Sequence, residues 1–233
     1  MGVELVVFDM AGTTVYDGDA VHRCLQAALE AAGVRVTRDQ VNAVMGLPKP
    51  IAIRSLLEEE RAVSGTEEAV PGIYADFQAR MLAHYRTSAD VREIEGASDT
   101  FRRLRRAGVK IALDTGFSRP IADAVIERMG WERAGLLDAS VTSDEVVNGR
   151  PHPDMILRAM ERTGVTDARR VAKVGDTPAD LQQGQAAGCG WIIGVTEGSH
   201  TREQLLAYPH TALIATIAQL PDYLGLGTGY SGR

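Results

Sequence analysis

Cysteine is scarce in this sequence, with only two among 233 residues. Cys24 and Cys189 cannot make a disulfide framework, and neither has a metal-ligating partner at ligand spacing. Both read as small buried hydrophobes in a reducing interior. Aromatic residues are also few, at 5% of the chain, and Trp131 and Trp191 read as packing residues. No apolar run approaches the roughly 18 residues that span a bilayer. The first residues carry no basic segment of the signal-peptide kind, so a cytoplasmic protein is expected. Positive charge is not in excess: 25 Lys and Arg stand against 31 Asp and Glu, for a formal net charge of −6. A nucleic-acid partner would need the opposite balance. A single phosphate-sized anion is not excluded, because one pocket can be locally positive on an acidic protein. The length suits one domain, or a core with an inserted lobe.

The first element is an apolar run, Leu5-Val6-Val7-Phe8, ending at Asp9. A continuous run of this kind suits a strand buried on both faces of a parallel sheet. Helical spacing follows over residues 20–32, and Thr37 with Gln40 forms a capping box for a second helix. A break at Gly46-Leu47-Pro48-Lys49-Pro50 leads into a third helix that Pro50 is expected to start. Residues 58–68 read as a polar loop, and Ile73, Phe77, Met81 and Tyr85 mark a fourth helix. From residue 96 strands and helices alternate, with strands at 109–113, 139–141, 171–174 and 191–195. That alternation predicts an α/β fold, a Rossmann-like parallel sheet covered by helices. Residues 1–16 and 89–225 are expected to form the core. Residues 17–88 are expected to form an all-helical lobe, and 226–233 a flexible Gly-rich tail. The helical face around Val21 could pair two copies as a homodimer, or pack within its own lobe.

Open α/β sheets bind ligands past the carboxyl ends of their strands. Asp9 follows the first strand, Thr115 and Gly116 follow the strand at 109–113, and Asp176 follows the strand at 171–174, with Asp180 four residues on. Arg150 falls in Gly149-Arg150-Pro151, read as lying between a helix and a strand. Three carboxylates, a hydroxyl, a backbone N–H and a guanidinium therefore converge on one rim. Crowded carboxylates repel, and a hard divalent cation such as Mg²⁺ resolves that repulsion. Thr115, Gly116 and Arg150 could hold phosphoryl oxygens while one Asp attacks phosphorus.

In this order the Asp9 motif, Thr115, Arg150 and Gly175-Asp176-Thr177-x-x-Asp180 resemble the four motifs of the haloacid dehalogenase (HAD) superfamily of hydrolases. That resemblance implies Mg²⁺ as cofactor and a helical cap of the C1 type inserted after the first strand. It also implies a metal set of Asp9, Ala11 and Asp176, with Asp180 and Thr177 in support. Ala11, Gly12, Thr13, Met45, Gly46, Thr115, Gly116 and Arg150 would surround the phosphoryl group. The first motif departs from the usual Asp-x-Asp, because Ala11 stands where phosphatases carry their acid. Arg150 and the Met45-to-Lys49 stretch resemble the phosphonoacetaldehyde hydrolase (phosphonatase) branch, in which a cap lysine forms a Schiff base with the substrate aldehyde. Lys49 falls at that position, so Asp9, Lys49 and Arg150 are the expected catalytic residues. A helix N-terminus and desolvation beside Lys49 would favour the neutral amine.

Three departures touch the aldehyde pocket. Ala52 stands where that branch has a histidine, Phe117 where it has a tyrosine, and Asp19 where it has a small thiol. The expected reaction is cleavage of a phosphorus–carbon bond in a small carbonyl phosphonate. The alternatives are hydrolysis of a small phosphomonoester, metal-free dehalogenation through Asp9, and a non-catalytic binding role. Asp176, Asp180 and Thr115 speak against dehalogenation. His22, His84, His152, His200 and His210 show no paired spacing and read as surface or packing residues, with His152 the one nearest a site residue.

Overall fold

Four apolar residues form β1 (Leu5–Phe8), and all four are completely buried. Successive side chains of a strand point to opposite faces. Val6 and Phe8 enter one hydrophobic cluster and Leu5 and Val7 another. The computed structural model describes residues 2–16, 18–60 and 66–226.

Beyond β1 the chain runs through β2 (Val15–Tyr16) into four helices: α1 (Ala20–Ala31), α2 (Arg38–Ala43), α3 (Lys49–Glu59) and α4 (Thr66–Thr87). It returns through β3 (Arg92–Glu93), which pairs antiparallel with β2. Strands of two residues carry no legible period, so the sequence does not announce this ribbon. The apolar face of α1, with Val21, Leu25, Ala28 and Leu29 buried, packs against α4. Thr37 and Gln40 make the expected capping box. The third helix begins one residue earlier than expected: Lys49 is its first residue and Pro50 its second. Residues 61–65 of the expected polar loop lie outside the described residues, and α4 already starts at Thr66, with Pro71 inside it.

The remainder alternates: α5 (Ala97–Arg106), β4 (Lys110–Thr115), α6 (Arg119–Met129), β5 (Ala139–Thr142), α7 (Asp154–Thr163), β6 (Val171–Gly175), α8 (Pro178–Ala186), β7 (Trp191–Val195), α9 (Arg202–Leu205), β8 (Ala212–Ile214) and α10 (Leu220–Tyr223). Six strands make one parallel sheet in the order β5-β4-β1-β6-β7-β8. The expected α/β, Rossmann-like class is therefore present, with β8 as an additional edge strand. The two strands flanking β1 are β4 and β6, so the ends carrying Asp9, Thr115 and Asp176 lie side by side. The tail differs from expectation at its first residue. Leu226 packs on the core and its N–H reaches Pro221 O at 2.7 Å; residues 227–233 lie outside the described residues. Among the described residues no helix is long and apolar enough to cross a membrane.

Arg150 is held by a segment tied down at Glu145. It lies between β5 and α7, at the expected junction of a strand and a helix. Glu145 closes the turn after β5 by accepting the Thr142 N–H (2.9 Å), and it pairs with Arg162 of α7 (2.9 Å) and Arg119 of α6. Partial burial alone would raise its carboxyl. The two guanidiniums and the Thr142 N–H outweigh that and hold it at about 2, below the ordinary 4.5. A depressed carboxyl stabilises the fold fully above its unfolded value, and that stabilisation is lost as pH falls towards the folded one. Glu145→Gln should thus melt below the parent at pH 7. The gap should close as pH falls from about 4.5 towards 2, a trend that thermal melts across this range would check.

Candidate active site

The turn after β1 is built around one carbonyl. Met10 O accepts the N–H groups of Thr13, Thr14 and Val15 (3.2, 2.9 and 2.8 Å), and Thr14 Oγ1 donates to Asp9 O at 2.9 Å. Gly12 sits within this turn at φ +86°, where a Cβ would fall 2.4 Å from Asp176 Oδ2. A residue with a side chain is excluded there by both sterics and backbone conformation. The turn thereby brings the first motif against the end of β6.

Asp9, Asp176 and Asp180 are buried, and one carboxylate oxygen from each lies within 4.8 Å of the others. Arg150, also buried, donates to Asp9 Oδ1 at 2.6 Å and to Asp180 Oδ1 at 2.7 Å. Two further charges complete the network, and the sequence reading missed both. Lys173 of β6 contacts Asp114 Oδ1 and lies 3.0 Å from Asp180 Oδ1. Asp114 of β4 lies 3.8 Å from Arg150 Nη2 and offers it a main-chain oxygen at 3.4 Å. The signal was available: a lysine and an aspartate inside otherwise apolar strands are buried only when paired.

Burial pushes the Asp9 carboxyl up to about 7, with Asp180 and Asp176 adding to the rise and Arg150 and Lys173 opposing it. Burial and the Asp180 charge also raise Asp176, against the donors from Ser199 and Thr13. Asp180 is lowered despite its burial, because Arg150 and Lys173 favour its charge. It also accepts Thr177 Oγ1 (2.5 Å) and Thr177 N–H (3.2 Å) in the capping box that starts α8. That box is why α8 begins at Pro178. Asp180 is therefore saturated and suits support, whereas Asp9 Oδ2 receives no hydrogen bond among the described residues. With all four ionised, the buried carboxylates Asp9, Asp114, Asp176 and Asp180 outnumber the two buried cations of the network, Arg150 and Lys173. Hard oxygen donors with that deficit fit a divalent cation of the Mg²⁺ kind. Ala11 could contribute only its backbone.

Asp9, Ala11, Met45, Gly46, Lys49, Thr115, Gly116, Arg150 and Thr177 line one cavity of about 30 Å³, together with Val21, Phe117 and Ser199. Gly12 and Thr13 of the expected phosphate set instead face Asp176. Lys49 is 3% exposed and donates to Leu47 O at 3.4 Å. The helical lobe meets the core closely here. At Gly46, φ is +83° and a Cβ would fall 2.4 Å from Thr177 Oγ1. In this conformation the cavity has room for about one water.

The three departures divide. Phe117 lines the cavity and packs edge-on against Tyr85, with centroids 5.8 Å apart. Ala52 is buried inside the lobe. Asp19 caps α1 at φ 70°, bonds to Arg38 at 2.8 Å, and borders a neighbouring cleft of about 300 Å³. Among the histidines, His152 is exposed and takes no part. His22 packs between Asp19 and Asn42 (2.8 and 3.2 Å).

His200, read from sequence as surface or packing, adjoins the site through Ser199. Ser199 donates both N–H and Oγ to Asp176 Oδ2 at 2.7 Å, and Ser199 Oγ lies 3.0 Å from His200 Nδ1. Burial lowers His200 below its ordinary value, against the Asp176 and Asp180 charges and the Asp176 main-chain oxygen. Ser199 lies past the carboxyl end of β7, the same rim that carries Asp9 and Asp176.

The chain is similar to known proteins in both sequence and fold. Residues 3–188 match the model of the haloacid dehalogenase-like hydrolases. Phosphonoacetaldehyde hydrolase of Bacillus cereus (strain AH187) is 33% identical over 215 residues, covering 85% of this chain and 78% of that protein. Its namesake from Lysinibacillus sphaericus (strain C3-41) is 32% identical over 212 residues, covering 85% and 77%. In fold, the chain is similar to a phosphonoacetaldehyde hydrolase like protein from Oleispira antarctica (TM-score 0.82, 23% identity, 97% and 92% covered). It is also similar to a hydrolase from Pseudomonas syringae (TM-score 0.83, 18% identity, 95% and 98% covered).

Proposed function

Because the chain belongs to the haloacid dehalogenase-like hydrolases, we propose that it cleaves the phosphorus–carbon bond of a small carbonyl phosphonate such as phosphonoacetaldehyde, with Asp9 as nucleophile and Lys49 as the imine-forming amine. One observation carries this reading: a buried lysine lines the same cavity as Asp9, and an alanine stands at position 11. Residues 17–88 act as a cap over a core of residues 1–16 and 89–225, and the cap opens to admit substrate.

Hydrolysis of an ester needs an acid for the leaving oxygen, and such catalysis contributes roughly 10²–10⁴ in rate. Ala11 supplies none. A carbon leaving group needs a place for its electron pair instead. Lys49 Nζ adds to the carbonyl carbon and water is lost, giving a protonated imine. Asp9 attacks phosphorus, the phosphorus–carbon bond breaks, and its electron pair passes into the imine to leave an enamine. Water then hydrolyses the aspartyl phosphate and regenerates Asp9. The enamine takes a proton on carbon, and a second water releases the carbonyl product and Lys49.

Arg150, the Thr115 hydroxyl and the Gly116 N–H hold the phosphonate oxygens throughout. Mg²⁺ held by Asp9, the Ala11 carbonyl and Asp176 would screen the repulsion between carboxylate and phosphonate and polarise a phosphoryl oxygen. Asp180 and Thr177 keep Arg150 and α8 in place.

Borohydride reduction during turnover of phosphonoacetaldehyde tests the imine. Peptide mass spectrometry is expected to find an alkylated Lys49 only when substrate is present. An unmodified Lys49, together with phosphate release from small monoesters, would replace this reading with a phosphomonoesterase.

A further inference from the structure

The hydrogen bonds around Asp176 have a direction, and it extends beyond the cavity. A carboxylate offers about four lone-pair sites. Thr13 Oγ1 takes one on Oδ1 at 2.9 Å. Ser199 takes two on Oδ2, through N–H and Oγ, both at 2.7 Å. About one site is left, and it belongs to Oδ1. Only glycines leave room for the carboxylate here, because a Cβ at Gly198 would fall 2.3 Å from Oδ2 and one at Gly12 2.4 Å from it. Ionised Asp176 can only accept, so the single Ser199 hydroxyl proton points to it. His200, 3.0 Å from the same hydroxyl oxygen, then faces it as the donor through Nδ1–H, with the Asp176 main-chain oxygen as a second acceptor beside the ring. His200 is 8% exposed and borders a cleft of about 600 Å³ between α2 and α8.

We infer that Ser199 and His200 are positioning residues for the metal. They lock Asp176 so that one Oδ1 lone pair faces the cation, with His200 setting the hydroxyl rotamer of Ser199. This rests on the reading of Asp176 as a metal ligand, and it does not depend on which bond the enzyme cleaves. Outer partners of metal-binding carboxylates typically contribute about 10–100-fold in affinity.

Mn²⁺ binding to the metal-free full chain, followed by electron paramagnetic resonance without substrate, provides the test. Ser199→Ala is expected to raise the dissociation constant about tenfold or more. Ser199→Thr, which keeps the hydroxyl, should bind close to the parent. His200→Phe, which removes the donor, should weaken binding by less than Ser199→Ala does. Unchanged melting of the metal-free variants would separate positioning from folding. Ser199→Ala binding Mn²⁺ as tightly as the parent would overturn the inference. A parent that takes up no Mn²⁺ would overturn the metal reading beneath it.

Discussion

Asp9→Asn is expected to reduce phosphate release by about 10⁴-fold or more, the scale seen when a covalent nucleophile is removed. The amide is nearly isosteric, so the shape of the cavity is kept. It loses the charge that Arg150 Nη2 meets at 2.6 Å and the oxygen that attacks phosphorus. A further effect follows from the charge balance. Removing one of four buried carboxylates weakens the attraction for a divalent cation, so the residual activity should need more Mg²⁺ than the parent does. Single-turnover phosphate release with both proteins, titrated with Mg²⁺, measures both effects. A residual rate within about tenfold of the parent would be too small a loss for a covalent nucleophile, and Asp9 would have to give up that role.

Legibility of this site in the sequence followed from where each group sits relative to its strand. Asp9 comes directly after an apolar run, and Asp176 directly after a strand that is apolar but for Lys173, so the end of each strand points at them. Thr115 was found next to its strand, although β4 runs on to include it. Asp114 and Lys173 were passed over because each lies within a strand, where alternation hides one charged residue among hydrophobic neighbours. Their pairing is a contact between strands, and no local spacing records it. Arg150 is legible as the cation beside the strand ends, whereas Lys49 is a loop-edge cation of a common type that only the resemblance to a family singles out. Ser199 stands after β7, where the rule applied to the other strand ends would have found it. The ribbon of β2 and β3 and the three-residue β8 are too short for any period, and tertiary pairing alone forms them.

Lys49→Arg separates the two chemistries this cavity could perform. Arginine keeps the positive charge and the length of lysine, but it stays protonated at any working pH and cannot form an imine. Turnover of phosphonoacetaldehyde should therefore fall to background, a loss of about 10³-fold or more for a step that runs through a covalent intermediate. Inorganic phosphate should still inhibit or bind, because Arg150, Thr115 and Gly116 are untouched. Arg150 and Lys49 are the cavity's two cationic side chains among the described residues, and Val21, Met45 and Phe117 supply apolar wall. With Arg150 engaged by the phosphonate and Lys49 by the carbonyl, no cation remains for a further carboxylate. A carbonyl phosphonate that also bears a carboxylate should therefore be a poor substrate for the parent. The comparison is made with kcat/KM for the two phosphonates on the parent, and with phosphate release on Lys49→Arg. If the variant still turns over phosphonoacetaldehyde, the electron pair of the breaking bond must go elsewhere, and the imine is not part of the reaction.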